Sequence, residues 1–166
     1  CISKDKNDLK ALFDYTIERH YPHIRNFKFP AIELLNIVTE KQIDLIIDWM
    51  RVGFIHGVMN TDNMSIHGIT IDYGPYGWLE DYDPNWTPNT TDASRRRYRY
   101  GHQPQIGAWN IARLAESIAP LMDDVELLYS VLELYDTKYV ESQNSMWSSK
   151  LGIDDLTSRQ GPISFI

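Results

Sequence analysis

From Asp5 to His20 the apolar positions Leu9, Leu12, Phe13 and Ile17, with Thr16 on the same stripe, recur at intervals of three and four. That spacing predicts a helix, with Ser3 or Asp5 as its cap and Pro22 as its stop. After Pro30 a longer stripe runs through Leu34, Leu35, Ile37, Val38, Ile43, Ile46, Ile47 and Met50 to Gly53, predicting one or two helices apolar enough for a core. Two short β-prone runs, Met64 to Ile66 and Ile69 to Ile71, flank His67-Gly68 and predict a small hairpin. Residues 74–104 carry Gly74, Pro75, Gly77, Pro84, Asn85, Pro88, Asn89 and Gly101, which predicts a long ordered loop, packed down by its Tyr and Trp residues. Helical spacing resumes at Ile106, Trp109, Asn110, Arg113, Leu114 and Ser117 and stops at Pro120. It returns at Val125, Leu128, Val131, Leu132, Tyr135 and Tyr139, a core or interlobe stripe, and no clear pattern follows Trp147. The sum is an α+β chain, mostly α, with one small β-hairpin and no internal repeat.

Composition narrows this picture. A chain of 166 residues with 43% hydrophobic and 12% aromatic content has the interior of one packed domain. The chain opens on Cys1 and closes on the apolar Ile163-Ser-Phe-Ile166, so the expectation is a piece cut at both ends. A formal charge of −7 argues against broad affinity for nucleic acid or anionic lipid, and no apolar run has the length of a membrane span, so neither is expected as a partner. One cysteine cannot form an internal disulfide, which points to the cytoplasm if the source is bacterial, or to the mitochondrion if it is eukaryotic.

The candidate chemistry lies around the predicted hairpin. Kinase-type transfer uses a loop of pattern H-R-D-x-x-x-x-N, a short hairpin, and then D-F-G, whose Asn and Asp hold divalent metal on the nucleotide phosphates. Here His56 and Asn63 keep the seven-residue interval, and Asp72-Tyr73-Gly74 stands where D-F-G would. The usual catalytic Asp is replaced by Val58, but Asp62, next to Asn63, can return a carboxylate to the same small volume. His56 is expected to brace the loop by hydrogen bonding. Hard divalent cations prefer oxygen ligands and are commonly held by one or two protein side chains together with phosphate oxygens, which suits Asn63 plus Asp72.

The stretch Gly53-Phe-Ile-His-Gly-Val-Met-Asn-Thr-Asp-Asn-Met-Ser-Ile66, then Thr70-Ile-Asp-Tyr-Gly-Pro-Tyr-Gly77, Tyr82-Asp-Pro-Asn85, Arg97-Tyr-Arg-Tyr100, Gln103-Pro104 and Trp109-Asn110, resembles the selenoprotein O family. The resemblance covers residues 5–145. It implies the C-terminal lobe of a protein-kinase-like fold, with residues 1–166 as a partial domain and the hairpin carrying the metal-site motifs. It also implies ATP bound in a reversed orientation and AMP transferred to Ser, Thr or Tyr hydroxyls of proteins. By position, Asp62 corresponds to the general base, Asn63 and Asp72 to the Mg²⁺ or Mn²⁺ ligands, and Asp72 also to a nucleotide contact. The Gly-rich loop, the nucleotide-binding Lys with its Glu, the phosphate-gripping arginines and the redox-active C-terminal Cys or selenocysteine of that family have no counterpart in this sequence. The chain alone is therefore expected to bind ATP weakly and to turn over little.

Two rival readings stand beside it: a nucleotide-binding pseudokinase scaffold, and a phosphotransferase acting on a small molecule, against which Val58 weighs. The run Ser94-Arg-Arg-Arg-Tyr-Arg-Tyr100 alternates basic and aromatic residues, as single-strand-binding surfaces do, but in an acidic chain it suits local carboxylates or the substrate side of a cleft better. His67 and His102 lack a Cys or His at zinc-ligand spacing. The N-x-[ST] matches at Asn63, Asn85 and Asn89 are taken as chance.

Overall fold

Pro30 opens and Gly53 closes the helix around which the rest is built. In the computed structural model, which describes residues 6–153, α1 spans Lys6–His20 and α2 runs unbroken over Pro30–Val52. Proline suits a first helical turn because its missing N–H would be unpaired there anyway. Gly53, at φ 71°, supplies the left-handed residue that lets the chain leave the helix, its N–H bonded to the Trp49 carbonyl. The predicted caps of α1, Ser3 and Asp5, and the apolar end at Ile163–Ile166 lie outside the described residues.

The remaining helices are α3 (Gln103–Ile118) and α4 (Glu126–Leu151). Leu34, Leu35, Val38, Ile43, Ile46 and Ile47 of α2 are buried together with Ile106, Ile111, Ala115 and Ile118 of α3 and Leu128, Val131, Tyr135, Tyr139 and Met146 of α4. Each of the Leu, Ile, Val and Met side chains among them contributes roughly 1.5–3 kcal/mol by leaving water, so this three-helix contact is the core of the fold. The packing leaves no room for a side chain at Gly107, where a Cβ would stand 2.2 Å from Ile46 Cδ1 and 2.7 Å from the Tyr135 hydroxyl. Pro104 sits in the first turn of α3, which begins three residues before the apolar stripe that announces it. α4 continues past Tyr139 to Gly152, at φ 65°. Its last turns bury only Met146, so the apolar period fades there although the helix persists.

The predicted hairpin requires correction. Met64 and Thr70 form one isolated antiparallel bridge, closed by a Gly68 N–H to Ser65 carbonyl bond of 3.1 Å, in place of two paired strands. The arm is fastened to the helices more than to itself: Gln42 Nε2 donates to the Ser65 carbonyl (2.5 Å), the Tyr21 hydroxyl to the Ile66 carbonyl (2.7 Å), and Trp49 Nε1 to Thr70 Oγ1 (2.9 Å). The two-stranded sheet lies outside the arm. In it β1 (Phe54–Ile55) pairs antiparallel with β2 (Gly77–Trp78), with Phe54 opposite Trp78 and Ile55 opposite Gly77. It closes the base of the whole 54–78 segment and brings both motifs to one place. The α+β, mostly helical class holds.

Candidate active site

His56 follows β1 directly and is only 1% exposed. Its main-chain N–H donates to Gln103 Oε1 (3.0 Å), and its Nε2 lies 2.8 Å from the Ile71 carbonyl. The Val58 N–H points at Nδ1 (3.4 Å), which makes Nδ1 the acceptor and Nε2 the protonated donor to Ile71. The ring packs against the Trp49 indole at 5.4 Å between centroids. His56 is thus the brace expected of it, tying the first motif to the residue just before Asp72.

The loop that follows is held carbonyl by carbonyl. Asn89 Nδ2 donates to the Gly57 carbonyl, Asn63 Nδ2 to that of Val58, and Asn110 Nδ2 to that of Met59, each at 3.0 Å. The Asn63 N–H closes a turn on the Asn60 carbonyl, also at 3.0 Å. The Tyr98 hydroxyl donates to Asn60 Oδ1 at 2.5 Å. A single helical turn, Thr61–Asn63, then presents Asp62 to solvent and leaves Asn63 half-buried.

The Val58 carbonyl takes up the Asn63 amide nitrogen, so the carboxamide oxygen is the polar atom that this bond does not use. Asn63 immediately precedes the bridged Met64, and Asp72 lies two residues past its partner Thr70. Asp72 is exposed and adopts φ 55°, an uncommon left-handed conformation for a residue with a side chain, followed by a tight Gly74 N–H to Asp72 carbonyl bond of 2.7 Å. Asp62, Asn63 and Asp72 are therefore carried by one loop and one arm locked to each other. No group of three or more His, Cys, Asp or Glu gathers as a metal cluster among the described residues. A hard cation that completes its shell with phosphate oxygens needs only an Asn oxygen and a carboxylate from the protein, and the donor set here fits that chemistry.

The profile of the family described as protein adenylyltransferase SelO matches residues 1–164. The chain belongs to this family. Relatives named protein nucleotidyltransferase YdiU include that of Flavobacterium johnsoniae, 49% identical over 147 residues, covering 88% of this chain and 28% of the relative. The Rhodopirellula baltica protein is 47% identical, covering 93% and 30%, and that of Xanthomonas euvesicatoria pv. vesicatoria is 50% identical, covering 87% and 28%. The chain spans less than a third of the length of these SelO-family relatives.

Within this SelO-family chain the residues that hold the loop had no role assigned from the sequence, although Gln103 and Asn110 stand among those that carry the resemblance. Gln103 is fully buried and grips β1 from both sides, accepting from the His56 N–H and donating from Nε2 to the Phe54 carbonyl (2.9 Å). Asn89 and Asn110 are each 7% exposed. One sequence signal could have found Asn110: a carboxamide on the apolar stripe of a helix must find a partner. Asn89 gave no such signal, because it sits among loop residues. From the basic run, the Arg97 guanidinium lies over the Trp109 ring at 4.8 Å, and Arg113 covers the same ring at 5.4 Å.

Proposed function

We propose that the full-length protein to which this chain belongs transfers AMP from ATP to Ser, Thr or Tyr hydroxyls of other proteins, through the C-terminal lobe of a kinase-like fold. The observation that carries it is the arrangement just described: Asn63, its amide nitrogen bonded to the Val58 carbonyl, on the same turn as Asp62, and joined through the adjacent Met64–Thr70 bridge to the arm bearing Asp72. The family description and the nucleotidyltransferase names of the relatives support the same chemistry.

In this reading Asp62, exposed at the loop's tip, accepts the proton of the acceptor hydroxyl as its oxygen bonds to the α-phosphorus. The bond from that phosphorus to the oxygen bridging the α- and β-phosphates breaks, and pyrophosphate leaves. Asn63 Oδ1 and the Asp72 carboxylate would hold Mg²⁺ or Mn²⁺, and Asp72 would also border the nucleotide. When bound, the cation offsets the negative charge on the phosphate oxygens. The left-handed backbone at Asp72 suits this role, since such strain persists where a side chain must be aimed. No helix of the described residues is long and apolar enough to cross a membrane. The proposed location is the cytoplasm for a bacterial source, as in the relatives named above, and the mitochondrion for a eukaryotic one.

The test uses the full-length protein with Mg²⁺ or Mn²⁺, a generic acceptor protein, and ATP labelled at either the α- or the γ-phosphorus. Label should stay on protein from α-labelled ATP and not from γ-labelled ATP. The reverse pattern would establish phosphoryl transfer, and no label from either would favour a scaffold without turnover.

A further inference from the structure

Asn110 occupies a position on α3 that packing alone does not favour. Its neighbours on that face, Ile106 and Ile111, are 3% and 2% exposed, and Asn110 itself is 7% exposed. Its Nδ2 divides between the Met59 carbonyl and the Ile106 carbonyl of its own helix, both at 3.0 Å, so the amide orientation is fixed. Its Oδ1 is left buried without a hydrogen-bond partner. A buried acceptor left unpaired opposes folding, and an aliphatic side chain there would avoid that cost. What the carboxamide supplies instead is one directed bond to Met59, three residues before Asp62. Asn89 supplies a second bond of the same kind from another part of the chain, donating to the Gly57 carbonyl while its own Oδ1 accepts from the Thr91 N–H (3.0 Å) and hydroxyl (2.7 Å).

We infer that Asn89 and Asn110 are positioning residues for the transfer reaction: two buried carboxamides that orient the Gly57 and Met59 carbonyls and thereby aim Asp62. This rests on the AMP-transfer reading above. Neither residue touches substrate. They act through the backbone of a loop whose tip, Asp62, is exposed and makes no side-chain hydrogen bond to the described residues, so the aim of that carboxylate is set by the carbonyls behind it. A misaimed base slows the chemical step without weakening the grip on nucleotide.

Two variants separate this from a structural role. Asn89→Asp keeps the shape and the oxygen that accepts from Thr91 but, as a carboxylate, cannot donate to Gly57. Asn110→Leu keeps the bulk, removes the unpaired oxygen and cannot donate to Met59. In the full-length protein, assayed with α-labelled ATP well below the melting temperature, each should lower kcat by about 10–100-fold. KM for ATP should stay unchanged, and the melting temperature should stay within about 5 °C of the wild type. The inference is overturned if either folded variant keeps the wild-type kcat. It is equally overturned if the loss appears in KM alone, or if it merely equals the unfolded fraction seen by circular dichroism. Failure of the wild-type protein to attach α-label would instead strike the AMP-transfer reading itself.

Discussion

At Gly57 the backbone takes φ 83°, and a Cβ added there would come within 2.3 Å of the Pro75 carbonyl oxygen. The residue after His56 thus touches the segment that follows Asp72, and that contact admits no side chain. Gly57→Ala is expected to cost at least about 1–2 kcal/mol from the left-handed backbone alone, with the clash adding to it. It should lower the melting temperature and, by pushing the two motifs apart, abolish transfer. A Gly57→Ala protein with wild-type melting and activity would show that this contact is dispensable. Asp62 behaves oppositely. It is exposed and packs against nothing in the core, so Asp62→Ala should remove transfer while leaving the thermal transition within about 0.5 kcal/mol of wild type, the range of ordinary surface substitutions.

Between elements, α3 meets α2 and α4 at Gly107, where the two obstructing side chains are themselves buried and the Tyr135 hydroxyl donates to the Pro104 carbonyl (3.1 Å). Neither can withdraw into solvent. Gly107→Ala should therefore destabilise the chain by about 1–3 kcal/mol through overpacking, measurable as a shift in denaturant midpoint. The helices were legible in the sequence because Leu34 to Met50, Ile106 to Leu114 and Leu128 to Tyr139 repeat at the helical period, and tertiary packing agrees with that period. The strands were not. Phe54–Ile55 and Gly77–Trp78 are two residues each, too short to show alternation, and their pairing spans the whole motif region. The hairpin expectation failed because the Ser65 and Ile66 carbonyls, free in a local reading, bond to Gln42 and Tyr21. At the site, His56, Asp62, Asn63 and Asp72 could be read from spacing. The hold of Gln103 and Asn89 on the loop could not, since a side chain that bonds a distant backbone carbonyl leaves no local trace.

Across the whole molecule, three tyrosines mark the interior around α4. Burial pushes Tyr100 up to about 12, with Tyr82 adding to it, and raises Tyr135 and Tyr139 further still from their usual value of 10.0. Between pH 10 and the native values, unfolded chains have lost these protons while native chains keep them. Stability is therefore fully present below pH 10 and falls as pH rises beyond it. Chemical denaturation at pH 8, 10 and 11 should show a midpoint that is flat and then falling; a midpoint that rises above pH 10 would contradict the burial of these phenols. The residues described here hold one side of the proposed site, and the chain spans less than a third of its relatives. Residues 1–166 alone should consequently bind ATP far more weakly than the full-length protein, as titration calorimetry of both would show.

In the proposed reaction the loop bearing Asp62 and Asn63 and the arm bearing Asp72 together form an AMP-transfer site. The intact mass of an acceptor protein, after incubation with ATP, divalent cation and either the full-length protein or its Asp62→Ala variant, decides whether they do. An adenylyl increment on Ser, Thr or Tyr with the wild type, and none with the variant, is the predicted result. A phosphoryl increment, or an adenylyl increment of equal yield from Asp62→Ala, would contradict it.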